Sequence, residues 1–180
     1  MHTSNDTDKL RYPIGDYVAT EFYNSGEIKK QIEVISSFYT ILKQEVSNLN
    51  GEQLNVTYRP NGWTIRQVVH HVADSHMNGL IRLKLALCEN KPTIKPYPEE
   101  LFAEMADSKT EPIESSLLII QGVHQRLTSV LNAMTEVDFH KSYLHPQYQK
   151  EFKMYDFLGL YAWHCRHHLE HIKLAKSNFK

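Results

Sequence analysis

The chain has 180 residues, 41% of them hydrophobic and 23% charged, enough apolar material for one ordinary core. Its net charge of −1, with histidine neutral, comes with no basic stripe for nucleic acid and no acidic tail. No apolar run approaches the roughly 20 residues that cross a bilayer, and the polar start Met1 to Leu10 has no apolar segment of the signal-peptide kind.

There are two cysteines, Cys88 and Cys165, and no CxxC. That excludes a disulfide framework and a cysteine-rich zinc site, and it suits a reducing cytoplasm. Histidine is the outlier, at 11 residues.

Residues 1–26 read as irregular, punctuated by Pro13 and Gly15. A first helix follows, with Ile28, Ile32, Ile35, Phe38, Tyr39, Leu42, Val46 and Leu49 at three- and four-residue spacing, ended by Asn50-Gly51. Residues 51–63 form a loop. Thr64-Ile65-Arg66-Gln67 has the capping-box pattern and starts a second helix that runs to about Cys88. Its apolar stripe is Ile65, Val68, Val69, Val72, Leu80, Leu83 and Leu87, and it carries His70, His71, Asp74 and His76.

Residues 89–112, with four prolines and no period, form a connection long enough to return the chain along a bundle. The third helix is Ile113 to Met134, with Leu117, Ile120, Val123, Leu127, Val130, Leu131 and Met134 inward. Thr135 to Lys153 reads as a polar linker, and the fourth helix runs from about Tyr155 to Ser177. Four amphipathic helices of roughly 20 residues and no strand pattern predict an all-α, antiparallel four-helix bundle, one domain over 1–180. The long connection between helices 2 and 3 means that the order need not be simple up-down-up-down.

The chemistry concentrates in the fourth helix. His164 and His168 are four apart, as are His167 and His171, so each pair shares a helix face and could share a metal ion. At about 100° per residue, Phe157, Leu160, Tyr161, Cys165, Leu169, Ile172 and Ala175 define an apolar arc. His164 and His168 lie inside it. Arg166, Glu170 and Lys173 lie opposite, His167 sits at the edge, and His171 is nearer the arc. On the second helix the periodicity favours His76 as the inward residue, with His71 toward one edge and His70 on the other side.

A lone inward histidine is more often a hydrogen-bonded core residue than a ligand, and that reading suits His76. His124, His140 and His145 read as surface or loop residues, Cys165 as a small core residue, and Asp74 and Glu170 as solvated charges. Two core imidazoles four apart would each need a polar partner, because an unpaired buried polar group costs about 1–3 kcal/mol. Spacing alone therefore leaves a metal site and a separately hydrogen-bonded pair both open. His167-His168-Leu169-Glu170-His171 also matches H-x-x-E-H, the inverted zinc-protease signature. The face analysis turns its Glu170 to solvent, and the chain is short for such a protease.

Arg11-Tyr12-Pro13-Ile14-Gly15, the block Gly62 to Asn78, Lys91-Pro92-Thr93-Ile94-Lys95-Pro96-Tyr97, and Gly159-Leu160-Tyr161-Ala162-Trp163-His164 with His167-His168 closely resemble the bacterial YfiT-like metal-dependent hydrolases of the DinB superfamily. The resemblance spans nearly the whole chain. Where that family has a histidine-rich run after the tryptophan, this chain has Cys165-Arg166.

The resemblance implies a four-helix bundle with one metal ion per subunit, held by His71, His164 and His168. It also implies a cytoplasmic homodimer. Three imidazoles leave a coordination position open, as in catalytic zinc sites. The expected activity is hydrolysis of a small molecule such as an amide or ester, with zinc in the cell and nickel possible in recombinant protein. The alternatives are transfer of a low-molecular-weight thiol to a small electrophile, and a metal-bound bundle without turnover. Asp74 is a candidate partner orienting His71, with His76 as another candidate helper.

Overall fold

The computed structural model describes residues 6–179. Four long helices make the bundle: α2 (Ser25–Val46), α4 (Ile65–Cys88), α7 (Glu114–Ala133) and α9 (Met154–Ser177). Short helices decorate the connections: α1 (Asp6–Arg11), α3 (Gly51–Leu54), α5 (Glu99–Ala103), α6 (Ala106–Thr110) and α8 (Glu136–Phe139). Strands β1 (Ser142–His145) and β2 (Lys150–Lys153) pair antiparallel, Tyr143 opposite Phe152. Among the described residues no helix is long and apolar enough to cross a membrane.

The helix starts follow their local chemistry. The Thr64 side chain accepts from the Gln67 backbone N–H while the Gln67 side chain accepts from the Thr64 N–H, so two otherwise orphaned donors are satisfied at the head of α4. Asn24 and Glu27 do the same for α2. The buried faces of the four long helices then share one apolar core, from Ile35, Phe38 and Leu42 through Val69, Val72 and Leu83 to Ile120, Leu127, Phe157 and Ile172.

Side-chain pairings fix the helix directions. Arg66 reaches the Glu111 carbonyl just before α7, His70 meets Ser116, and His76 meets His124, so α4 and α7 run the same way. Gln31 meets Arg166 and Glu45 meets Lys176, so α2 and α9 also run the same way. His71 lies beside His168 while His76 lies beside His164, so α4 opposes α9. The order is up-down-down-up. Two successive helices can run parallel only if the chain between them travels back the length of the bundle, and residues 89–113 do so.

The sequence reading missed several details. The polar linker 135–153 contains α8 and the hairpin, and the hairpin ties to the long connection through Ile94 N–H to the Leu144 carbonyl and Leu144 N–H to the Pro92 carbonyl. That connection itself folds into α5 and α6, both packed on α4. Residues 6–11, read as irregular, form α1. Four- and five-residue helices show no periodicity of their own, because they span barely one turn.

α4 and α9 meet closely at Gly79. A Cβ placed there would overlap the Tyr161 ring, so the missing side chain lets the two helices approach beside His76 and His164.

Candidate metal centre

α4 and α9 bring His71, His164 and His168 together. His164 Nε2 lies 3.3 Å from His71 Nε2 and 3.2 Å from His168 Nε2. One ligand atom from each of the three lies within 4.8 Å of the others. Two imidazole nitrogens on a tetrahedral zinc, each about 2.0–2.1 Å from the ion, sit about 3.3 Å apart. The observed spacing fits that. Among the described residues no carboxylate or thiol completes this set.

The rings are held by aromatic neighbours. Trp63, just before the Thr64 cap, lies 4.6 Å from the His71 ring, centroid to centroid. Tyr161 meets the His76 ring edge-on at 5.1 Å. A cavity of about 1020 Å³ is lined by all three histidines and by Trp63, Arg82 and Tyr161. His71 and His168 are buried and His164 is partly exposed.

Burial removes water from every ring here and so disfavours the charged form. It lowers His71 to about 3, helped by the charges of His167 and His171. Burial pushes His164 and His168 well below the usual histidine value, helped at His164 first by His71 and at His168 first by His164. Neutral imidazole is the form that binds metal.

His76, which the periodicity favoured as the inward residue, stands behind the site. Its Nε2 is 3.0 Å from His164 Nδ1 and its Nδ1 is 2.7 Å from His124 Nε2, while His124 Nδ1 is 2.6 Å from the Ile35 carbonyl. His124, read from the sequence as a surface or loop residue, is therefore a core residue, 2% exposed. It falls at the three-and-four spacing Leu117, Ile120, His124, Leu127, Leu131, a signal that was available in the sequence. His145 is buried as well, on β1.

His171 joins the other side. Its Nε2 is 3.0 Å from the Arg11 carbonyl and its Nδ1 is 3.4 Å from His168 Nδ1, and Tyr58 stacks on its ring at 3.8 Å. His167, placed at the edge of the arc, is buried against Trp163 at 4.3 Å. His70 is buried too, 2.7 Å from Ser116 on α7, because α5, α6 and α7 enclose the first turns of α4 on several sides.

No hydrogen bond among the described residues joins Asp74 to His71. Burial and the nearby Asp107 of α6 raise the Asp74 carboxyl to about 6. Glu170 of the H-x-x-E-H match pairs with Lys173 at 2.6 Å on the partly exposed side of α9, away from the imidazole cluster.

Two further groups have metal-like proximity: His76, His124 and Cys165, and His167, His168 and His171. In the first, the 2.7 Å between His76 and His124 is a hydrogen-bond length, shorter than a shared zinc would allow. Burial also pushes the Cys165 thiol far up, away from the thiolate a metal needs.

Fold and site together define a class: a four-helix bundle whose second and fourth long helices present a histidine cluster suited to a metal ion. The sequence pattern of the DinB superfamily matches residues 39–172. The YfiT protein of Bacillus subtilis is 43% identical over 91% of this chain and 92% of its own. A relative from Geobacillus kaustophilus is 44% identical over 89% and 90%. Both carry the provisional name of metal-dependent hydrolase. The solved B. subtilis YfiT structure, described as a four-helix bundle of unusual topology, matches with a TM-score of 0.91 at 42% identity, over 94% of this chain and 97% of that one. The chain belongs to the DinB superfamily, in its YfiT-like group. A mycothiol-dependent maleylpyruvate isomerase shares the fold at 14% identity, with a TM-score of 0.65 over 81% of this chain and 60% of that one.

Proposed function

We propose that this protein is a metal-dependent hydrolase of a small ester or amide, with one zinc-type ion held by His71, His164 and His168. The observation that carries the reading is the convergence of three Nε2 atoms at metal-sharing distances on a cavity wall, with no fourth protein ligand among the described residues. Structural zinc sites are closed by four protein ligands, whereas catalytic ones keep a position open. Such an ion supplies Lewis acidity for a carbonyl and lowers the pKa of a nucleophile beside it. The provisional names of the relatives point the same way.

The chain's own groups orient the substrate. The Arg82 guanidinium lies over the Tyr97 ring at 5.9 Å, and with Tyr161 both residues line the cavity that the histidines share. Among the described residues Arg82 makes no ion pair with a carboxylate within 4.0 Å; its guanidinium donates to the Lys95 carbonyl at 3.5 Å, and its charge is left for a polar substrate end. Trp63, packed against His71, adds an apolar face to the cavity wall. The same reading includes a cytoplasmic homodimer, which sedimentation of the purified protein tests.

The experiment is a panel of activated esters and amides assayed with zinc-loaded protein, in the presence and absence of low-molecular-weight thiols. Turnover without thiol supports the hydrolase. Loss of an electrophile only when a thiol is added, with no turnover in its absence, overturns it in favour of thiol transfer.

A further inference from the structure

His76, His124, His167 and His171 crowd around His71, His164 and His168, more imidazoles than three ligands require. His71, His164 and His168 face one another through Nε2, whereas His76 and His171 meet His164 and His168 at Nδ1, with His124 behind His76. Their hydrogen bonds give them a direction. A backbone carbonyl only accepts, so where an imidazole nitrogen meets one, that nitrogen must carry the proton.

Take the Ile35 carbonyl first. His124 Nδ1, 2.6 Å away, is the donor. A neutral His124 then has a bare Nε2, which accepts from His76 Nδ1 at 2.7 Å. His76 in turn has a bare Nε2, which accepts from His164 Nδ1 at 3.0 Å. The only nitrogen of His164 left without a proton is Nε2, the atom that faces His71 and His168.

The Arg11 carbonyl works the same way on the other ligand. His171 Nε2 donates to it at 3.0 Å. The bare His171 Nδ1 accepts from His168 Nδ1 at 3.4 Å. His168 Nε2 is thereby left bare, again facing His164. Burial keeps the intermediate rings neutral, which the argument requires, since an imidazolium in either chain would put protons on both of its nitrogens.

We propose that His76, His124 and His171 are positioning residues: through them the carbonyls of Ile35 and Arg11 fix the tautomers of His164 and His168, so that both ligands present a bare Nε2 before any metal arrives. The inference rests on the ligand set proposed above. Ligand imidazoles commonly donate their second N–H to a carbonyl or carboxylate, and losing that partner costs about 10- to 100-fold in metal affinity. Here the acceptor is another imidazole, and the carbonyl that decides its tautomer is one or two rings further back. Without the far acceptor, His76 can place its proton on either nitrogen, and one choice turns a donor toward His164.

The test is zinc affinity, measured by chelator competition, in His124→Phe and His124→Gln, together with the imidazole ¹⁵N spectrum of the metal-free wild-type protein. Phenylalanine keeps the stacking on Phe38, 5.2 Å away in the wild type, and removes both hydrogen bonds. Glutamine can accept from His76 through its oxygen and donate to Ile35 through its nitrogen. His124→Phe should weaken zinc by about 10- to 100-fold, and His124→Gln should restore most of the loss. The metal-free spectrum should show protonated Nδ1 and bare Nε2 at both His164 and His168.

Unchanged affinity in a folded His124→Phe protein overturns the inference, and so does a metal-free spectrum with protonated Nε2 on His164 and His168. If His124→Phe does not fold, the wild-type spectrum decides. His164→Ala separates the two claims. Zinc retained in that variant sinks the ligand set, whereas zinc lost there but unaffected by His124→Phe sinks only the positioning role.

Discussion

The two imidazole chains behind His164 and His168 lean on different parts of the molecule. The one behind His164 runs through two further rings, with links of 3.0, 2.7 and 2.6 Å, and ends on Ile35 inside α2. Phe38 stacks on both of its rings, and His76 and His124 are 0% and 2% exposed. The one behind His168 runs through a single ring by a 3.4 Å contact and ends on Arg11, at the close of α1. That segment lies on α9 through Trp163 Nε1 to the Gly15 carbonyl and Tyr17 to Asp156. His164 is thus oriented by the packed core and His168 by a strap laid over the surface of α9. Short, well-aligned hydrogen bonds hold a ring more firmly than a 3.4 Å contact does. His164 is the fixed point of the site, and His168 is the adjustable one.

Replacing the fixed point should have the largest effect. His164→Ala should take zinc from about one ion per chain to none by elemental analysis of protein purified without nickel resin. Full metal content in that variant would remove the basis for both chains at once.

Acid should come next, acting on the metal-free protein. Burial holds His71 and His167 at about 3 and His124 and His171 at about 4, against about 6.5 in an unfolded chain. Below about 6.5 the unfolded chain takes up protons that the folded chain refuses, so stability falls as pH falls, by up to about 1.4 kcal/mol per pH unit for each such group. Above about pH 7 these groups contribute no slope. Denaturant titrations from pH 8 to pH 4 should show a plateau and then a steep decline. A flat profile through pH 5 would mean that the rings are not neutral and buried together.

His124→Phe and His171→Phe set the two chains against each other. The first should weaken zinc by about 10- to 100-fold, the second by less, because the bond it removes is the longer one. Equal losses, or a larger loss at His171, would reverse the assignment of fixed and adjustable ligands. A stability effect of similar size is expected at Gly79→Ala, where the new Cβ meets the Tyr161 ring. Overpacking of this kind costs about 1–3 kcal/mol. Urea denaturation measures it, and a neutral result would show that α4 and α9 have room to separate beside the site.

Much of this was legible in the residues. Three- and four-residue periodicity located all four long helices to within a few positions, and the Thr64 capping box placed the start of α4 at Ile65. The apolar arc of α9 turned His164 and His168 inward and Glu170 away. His71 was less legible. An apolar stripe assumes one buried face, but the N-terminal half of α4 is enclosed by α5, α6, α7 and α9, so His70, His71 and His76 are all buried there. Position on the stripe favoured His76, and family resemblance singled out His71. His124 was legible and misread, since a polar residue at a stripe position was assigned to the surface. The far acceptors were not legible at all. Backbone carbonyls leave no mark in a sequence, and the Arg11 carbonyl comes near His171 only through the path of a segment without periodicity.

The most direct measurement is a crystal structure of zinc-loaded protein with anomalous data at the zinc edge. The ligand set predicts one peak bonded to Nε2 of His71, His164 and His168, at about 2.0–2.1 Å from each. A peak among His167, His168 and His171, or among His76, His124 and Cys165, would contradict it.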